Sequence, residues 1–273
     1  GAGPTQNLGR AATAIAAAAA RVAALVSEAQ QGATVLNGDG DADDGVLQVY
    51  SLAGAAWTNT AQAADAVAIS GDRIAFVTPE AQQGAVSLNG GADADADDRV
   101  AQVYDAAAAS LRNVGIAAEE LVLGDASGTV CGPRHLVAIR SSELAQGAAD
   151  ANGDGDALDA VLEVYDFVTD TLYDVGQAVT PCRLEACDPR APYRVQGGEV
   201  RFLTFEAEQD EDLDGDGTIA GLVLQSFDVC TGVTTVIGRV DPDSNHDPLE
   251  IVEDGQVFSA PAGRCVGPLL APG

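Results

Sequence analysis

Residues 150–159, DANGDGDALD, place five oxygen-bearing side chains within ten positions. They are Asp150, Asn152, Asp154, Asp156 and Asp159. Gly155, at position 6 of the run, permits the positive φ of a tight turn, so that alternate side chains can converge on one point. Crowded carboxylates repel one another unless water or a cation separates them. The spacing favours a cation site, and the alternative is an ordinary solvated Asn/Asp/Gly turn.

Calcium is the cation that this donor set suits, because it takes about six to eight oxygen ligands from carboxylates, amides and backbone carbonyls. The start of the run resembles the D-x-[DN]-x-D-G opening of EF-hand, dockerin and integrin-type calcium loops. It departs from the EF-hand at Val161, where that motif has a bidentate Glu. We expect Asp159 to close the site instead.

Related acidic loops occur in four places, which we call the first to fourth acidic loops. They are LNGDGDADD (36–44), LNGGADADADD (88–98), DANGDGDALD (150–159) and DLDGDG (212–217). The further predicted ligands are Asn37, Asp39, Asp41 and Asp44 in the first loop, Asn89, Asp93, Asp95 and Asp98 in the second, and Asp212, Asp214 and Asp216 in the fourth. Two ligand positions are lost, at Val35 and Gly221. We predict several Ca²⁺ ions, one in each loop.

Each acidic loop lies between the same two motifs, so the chain is built from repeats. The preceding motifs are SEAQQG (27–32), PEAQQG (79–84), SELAQG (142–147) and FEAEQD (205–210), and the following ones are VLQVYS (46–51), VAQVYD (100–105), VLEVYD (161–166) and VLQSFD (223–228). A Glu recurs at 28, 80, 143 and 206, and a Gln recurs three residues later. These side chains either give a ligand to the ion or form hydrogen bonds with the backbone.

Each repeat is predicted to form four short strands in up-and-down order. In the second repeat, RIAFVT (73–78) comes before the acidic loop, and SLRNVGIA (110–117) comes after the motif that follows the loop. This order is typical of a β-propeller blade. The stretch AISGDRIAFVT (68–78) and the strands VAQVYD and VLEVYD resemble the TolB-like and WD40-like propeller family. The resemblance implies an all-β propeller of four-stranded blades.

The repeat units cover about 11–63, 64–117, 118–178 and 179–240. QNLGR (6–10) looks like the last strand of a blade, and LEIVEDGQVFSAP (249–261) like the first two. We therefore predict a single domain, 1–273, of about five blades, with a closing blade formed by 241–273 and 1–10. A fragment of a larger ring is the alternative.

The charge of the chain argues against two classes of partner. There are 42 acidic residues against 13 basic ones, all Arg, and the net charge is −29. Such a surface repels nucleic acid and anionic lipid. The apolar run at 11–26 is interrupted by Arg21 and too short to span a bilayer, so we expect two inner strands there that are buried on both faces. We expect no nucleic-acid partner and no membrane span.

No motif for catalysis stands out. Of the two histidines, His135 starts an apolar strand, which favours a structural role, and His246 lies in a Pro/Asp-rich loop, where we expect an exposed side chain. Five arginines of the later repeats either bind an anionic ligand or pair with nearby acids: Arg134, Arg140, Arg190, Arg194 and Arg201. The cysteines are at 131, 182, 187, 230 and 265, and either CRLEAC (182–187) closes a small disulfide loop or Cys131 reaches Cys187.

These features together predict a secreted protein, extracellular or periplasmic, whose signal peptide has been removed. The expected function is that of a calcium-binding, non-enzymatic module that binds a protein, a glycan or a copy of itself at the cell surface. The alternatives are a propeller hydrolase or lyase that acts on extracellular polysaccharide, and a fragment of a larger cell-surface adhesin.

Overall fold

The computed structural model describes residues 7–90, 94–180, 194–241, 250–253 and 256–259. Their regular structure is nearly all β-strand, and the helices among them are two 3₁₀ turns, Glu80–Gln83 and Glu206–Glu208. The all-β prediction is confirmed. In the same part of the chain, no helix has the length and apolar character needed to cross a membrane.

The chain divides into two compact units, of which the first comprises Gly1–Leu88 and Asp95–Gly115. Two antiparallel four-stranded sheets account for its strands, and in each sheet the strands pair in chain order. The strands are β1 (Ala12–Ala17), β2 (Arg21–Ser27), β3 (Gly45–Ser51) and β4 (Ala56–Ala63), then β5 (Ala66–Ser70), β6 (Arg73–Pro79), β7 (Arg99–Asp105) and β8 (Ser110–Ala117).

The second unit comprises Asn89–Ala94 and Ile116–Gly273. Its first sheet has the order β9 (Glu120–Leu123), β12 (Leu136–Ser142), β13 (Ala160–Asp166) and β14 (Thr171–Ala178). A separate hairpin, β10 (Ser127–Thr129) with β11 (Gly132–Arg134), lies between β9 and β12 in the sequence. The last sheet runs through β15 (Arg194–Gln196), β16 (Glu199–Phe205), β17 (Leu222–Asp228), β18 (Val233–Asp241), β19 (Glu250–Glu253) and β20 (Gln256–Ser259).

The predicted closing blade, 241–273 with 1–10, lies largely outside the described residues. Strands β19 and β20 do form the expected hairpin, but β19 pairs with β18 through Ile251 and Val240, so the hairpin extends the fourth sheet. This pairing satisfies backbone groups that β18 would otherwise present at a sheet edge. Residues 7–10 form no strand, and the described residues form no sheet besides the four above and the two-stranded hairpin β10–β11.

Apolar side chains pack between consecutive sheets within each unit. In the first unit, Leu25 and Leu47 belong to one buried cluster with Ile74 and Phe76 of the next sheet. In the second unit, Leu162 of β13 shares a cluster with Phe202 and Phe227. The prediction of two buried strands at 11–26 is confirmed for β2, where Ala23–Val26 are buried. It is wrong for β1, which is an edge strand and largely exposed; Ile15, for example, is 70% exposed.

Three of the outer strands contain an irregularity two residues before their last residue. β4 and β14 shift register against their neighbours, and positive φ angles occur at Ala61 (57°), Gly115 (78°) and Gly176 (63°). In each case a side-chain oxygen two residues earlier, of Asn59, Asn113 or Asp174, accepts a hydrogen bond from the backbone N–H at that position. The last residue of each of these strands donates its backbone N–H to one of the recurring glutamines described below.

Candidate metal sites

A buried glutamate anchors each acidic loop. Glu28, Glu80 and Glu206 have no exposed surface, and Glu143 is 1% exposed. In the third loop, Oε1 of Glu143 accepts hydrogen bonds from the N–H groups of Ala151 (2.7 Å) and Asn152 (3.3 Å), and Oε2 accepts one from Asp159 (3.2 Å). Of the two roles that the sequence left open for the Glu, hydrogen bonding to the loop backbone is therefore present.

The same glutamates bring two aspartates of their loops within reach of one ion. In each of the four loops, three carboxylate oxygens from three residues lie within 4.8 Å of one another. The groups are Glu28, Asp41 and Asp44; Glu80, Asp95 and Asp98; Glu143, Asp156 and Asp159; and Glu206, Asp212 and Asp214. An all-oxygen, carboxylate-rich set of this kind suits a hard divalent cation such as calcium.

Other predicted ligands form hydrogen bonds that shape the loop. Asp150 accepts hydrogen bonds from Gly153 N (2.7 Å) and Gly155 N (3.2 Å), which close the turn. Asp154 accepts one from Asp156 N (3.0 Å). In the first loop, Asp39 accepts a hydrogen bond from Asp41 N (3.3 Å). These aspartates stand outside the three-carboxylate groups, and Asp93 lies outside the described residues.

The asparagines use their amide groups to reach a neighbouring turn. Nδ2 of Asn37 donates to the carbonyl of Gln82 (2.7 Å), and Nδ2 of Asn152 donates to that of Glu208 (2.7 Å). In the second unit, Nδ2 of Asn89 donates to Ala145 O (3.0 Å). A sequence count of oxygen atoms treats Asn and Asp alike, but only Asn can donate this bond.

Burial, together with neighbouring carboxylates, raises two pKa values in the loops. Burial, followed by the neighbouring Asp154, raises the pKa of Asp159 to about 7. Burial is again the first cause for Asp44, whose pKa rises to about 6 with contributions from Asp39 and Asp41. A dication among these groups would favour their ionised forms and lower both pKa values.

The fourth loop differs from the other three in its charge balance. Gly221 occupies the position of Asp159, and a Cβ there would collide with the carboxylate of Glu206. Arg239 of β18 lies 2.7 Å (Nη1) from Asp216 Oδ2 and 3.7 Å (Nε) from Asp214 Oδ2. An arginine of the chain itself thus supplies positive charge to this loop.

The glutamine three residues after each Glu has a role that the sequence left undecided. Its Oε1 accepts a hydrogen bond from a backbone N–H at the end of a preceding segment. The pairs are Gln31 with Ala11 (2.7 Å), and Gln83 with Ala63, Gln146 with Ala117 and Gln209 with Ala178, each 2.6 Å. The fixed Glu–Gln spacing was the available signal for this contact.

The remaining candidates have structural contacts. His135 is buried, and its backbone N–H donates to Asp166 Oδ1 (3.1 Å). Cys131 forms a disulfide with Cys230, so the expected alternative of a Cys131–Cys187 bridge is wrong. Arg134 and Arg140 pair with Asp166 and Glu119, respectively. Arg190, His246 and the other three cysteines lie outside the described residues.

No model of a known protein family matches the chain, and no curated protein does either. Among solved structures it is similar to the β-propeller domain of the Trilobed protease from Pyrococcus furiosus, at 10% identity and a TM-score of 0.45, over 92% of this chain and 71% of that one. TolB from Acinetobacter baumannii gives 10% identity and a TM-score of 0.35, over 93% of this chain and 56% of that one. A complex of KlAtg21 with the coiled coil of AgAtg16 gives 11% identity and a TM-score of 0.43, over 94% of this chain and 69% of that one.

Proposed function

We propose that the chain is a secreted, calcium-stabilised β-propeller that acts as a binding or assembly module rather than as an enzyme. The observation that carries the calcium proposal is the recurrence of one buried Glu and two Asp, with oxygens within 4.8 Å, in four equivalent loops. The disulfide between Cys131 and Cys230 supports an oxidising compartment, where calcium is abundant.

Calcium would stabilise the fold because it binds a site that exists only in the folded chain. The loops are long connections between the second and third strands of their sheets, and each carries several like charges. An ion would offset this repulsion. It would also hold the loop against the turn that contains Glu143 in the third repeat, or the equivalent Glu in the others.

A thermal melt in millimolar calcium and in excess chelator tests this proposal. The variant is Asp41→Asn, which removes one carboxylate of the Glu28 group, and the control is Asp43→Asn, an exposed residue of the same loop outside that group. We expect calcium to raise the melting temperature of the wild type and the control by the same amount. The rise should be smaller in Asp41→Asn. Equal melts with calcium and with chelator in the wild type would refute the proposal.

Exposed apolar side chains beside the loops support the binding role. In the third repeat, Leu144 (63% exposed) follows the anchoring Glu143, and Leu158 (78% exposed) precedes Asp159. Ordered loops would present these side chains on a fixed surface, which is a feature of protein interfaces.

Self-assembly is the form of this role that can be measured without a known partner. Sedimentation velocity should show a larger species in calcium than in chelator, and Leu158→Ser should reduce it. Ala157→Ser is the control, since it adds the same hydroxyl group without removing an exposed leucine. An unchanged monomer in all conditions would rule out self-assembly and leave heterologous binding as the proposal.

A further inference from the structure

Two acids lie opposite each other on strands β13 and β14 of the second unit. Glu163 and Asp174 are directly opposed in the strand register, so their side chains project from the same face of the sheet. In the first sheet, the corresponding pair on β3 and β4 is Gln48 with Asn59. The third sheet therefore has two carboxylates where the first sheet has two amides.

The asparagines of the outer strands form a hydrogen bond to the acidic loops that Asp174 cannot form. Nδ2 of Asn59 on β4 donates to the carbonyl of Leu36 (2.8 Å). Nδ2 of Asn113 on β8 donates to the carbonyl of Leu88 (2.6 Å). The Oδ1 atom of each asparagine accepts a bond from the N–H two residues later, and Oδ1 of Asp174 does the same (3.0 Å). Oδ2 of Asp174 therefore takes the position of the amide nitrogen, where a carboxylate has no hydrogen to donate.

The carbonyl that corresponds to these acceptors in the third acidic loop is that of Ala151. The N–H of Ala151 donates to the anchoring Glu of its loop (2.7 Å), as the N–H of Leu88 does in the second loop. A Cβ at Gly176 would lie 3.7 Å from Ala151 O, and a Cβ at Gly115 would lie 3.9 Å from Leu88 O. The loop and the outer strand thus approach equally closely in both repeats. In the third repeat this approach places two acceptor oxygens, of Asp174 and Ala151, opposite each other.

Glu163 adds a third acceptor oxygen that lacks a donor. The residue is 7% exposed, and its Oε2 is buried and accepts no hydrogen bond from the described residues. The equivalent amide in the fourth sheet, that of Gln225, donates to Thr204 (2.8 Å) and to Gln177 (2.9 Å). The charged neighbour that affects Glu163 is Asp174, whose charge has the same sign. A buried carboxylate in these surroundings is costly unless it receives a proton or a cation.

We propose that Glu163, Asp174 and the carbonyl of Ala151 bind a hydrated divalent cation, calcium or magnesium. Both ions take oxygen ligands, and magnesium is commonly bound by one or two carboxylates while it keeps several waters. Asp174 is exposed, so water can reach the site and complete the coordination. The site uses none of the three carboxylates grouped in the third acidic loop. Without a metal ion, a proton on Glu163 takes the place of the cation, because burial raises the pKa of this residue to about 8.

Equilibrium dialysis at pH 9, with bound ions counted by mass spectrometry, tests the proposal in separate calcium and magnesium arms. The variant is Glu163→Gln/Asp174→Asn, which should fold because it introduces the pair that the first sheet already contains. We expect it to bind about one ion fewer per chain than the wild type in at least one arm, and that arm identifies the metal. The control Glu199→Gln/Asp125→Asn removes the same charge at two exposed positions of the second unit and should bind as many ions as the wild type.

A third variant separates this site from the carboxylate group of the third acidic loop. Asp156→Asn removes one member of that group. Adding Glu163→Gln/Asp174→Asn to it should remove a further ion, and this holds even if the acidic loops themselves bind no calcium. The proposal is overturned if the combined variant binds as many ions as Asp156→Asn alone. An unchanged ion count in Glu163→Gln/Asp174→Asn in both arms, or an equal loss in the control, would also overturn it.

Discussion

Oε1 of Gln209 accepts a 2.6 Å hydrogen bond from the backbone N–H of Ala178, the last residue of β14. Gln209 lies three residues after Glu206, whose carboxylate holds the fourth acidic loop through Leu213 N and Asp214 N. One short turn therefore connects an acidic loop to the end of the preceding outer strand. Order in the loops should stabilise the packing of adjacent sheets within each unit.

The first prediction concerns this glutamine contact. Gln83→Ala leaves the N–H of the fully buried Ala63 without its acceptor, which should cost about 1–3 kcal/mol of unfolding free energy. Gln30→Ala is the control, because Gln30 is exposed and its side chain is not part of this bond. Urea denaturation measures both, and equal stability of the two variants would contradict the role of Gln83.

A second prediction concerns Glu163, a buried acid in β13. The equivalent residues of the other sheets are Gln48, Gln102 and Gln225, all buried. Burial, and then the charge of Asp174, raises the pKa of Glu163 from 4.5 to about 8. A carboxyl whose pKa is raised on folding contributes stability below its unfolded pKa, and this contribution is lost as the pH rises through about 8.

Glu163→Gln should therefore be more stable than the wild type at pH 9, by roughly 1–3 kcal/mol, and its stability should depend less on pH between 6 and 9. Urea denaturation across this pH range measures the effect. The exposed Glu211→Gln serves as the control and should keep the wild-type profile. Parallel pH profiles for Glu163→Gln and the wild type would show that Glu163 is not the titrating group.

The third prediction tests the arginine in the fourth loop. Arg239→Gln removes the cation beside Asp214 and Asp216. Because Arg239 is 45% exposed, the loss in chelator should be small, roughly 0.5–1 kcal/mol, and added calcium should recover it. The control Arg99→Gln loses a surface ion pair with Asp65, and calcium should not recover that loss. Thermal melts distinguish the two, and identical calcium responses would exclude a special role for Arg239.

The fourth prediction concerns the disulfide. Cys131 and Cys230 are 99 residues apart, and a cross-link of that span restricts the unfolded chain strongly. Cys131→Ser/Cys230→Ser should lose about 3–5 kcal/mol of unfolding free energy in denaturant titrations. Wild-type protein under reducing conditions should match the double variant. A reduced wild type as stable as the oxidised one would argue against this bridge.

The sequence predicted the elements that repeat, because strand alternation and loop spacing are local properties of the chain. It located the acidic loops and their anchoring Glu. It did not show which side chains of a loop join the three-carboxylate group and which form hydrogen bonds instead. Asp150 and Asn152 count as oxygen ligands in a linear pattern, whereas the folded loop uses one to close a turn and the other to donate to Glu208. Such roles depend on which side of the turn each side chain faces.

Contacts between residues distant in sequence could not be predicted, for a related reason. The pairing of Cys131 with Cys230 depends on how hairpin β10–β11 meets the end of β17. Comparison of the repeats gives no signal for this contact, because the hairpin is not one of the repeated elements. The join between β18 and β19 likewise follows from an available strand edge. The hairpin itself was predictable from LEIVEDGQVFSAP, but its partner was not.

Diffraction from crystals grown in millimolar calcium, with an anomalous difference map, tests the central claim most directly. The account predicts a peak in the third loop, between the carboxylates of Glu143, Asp156 and Asp159, and equivalent peaks in the first and second loops. Well-ordered loops that show only water at these positions, in crystals containing calcium, would contradict it.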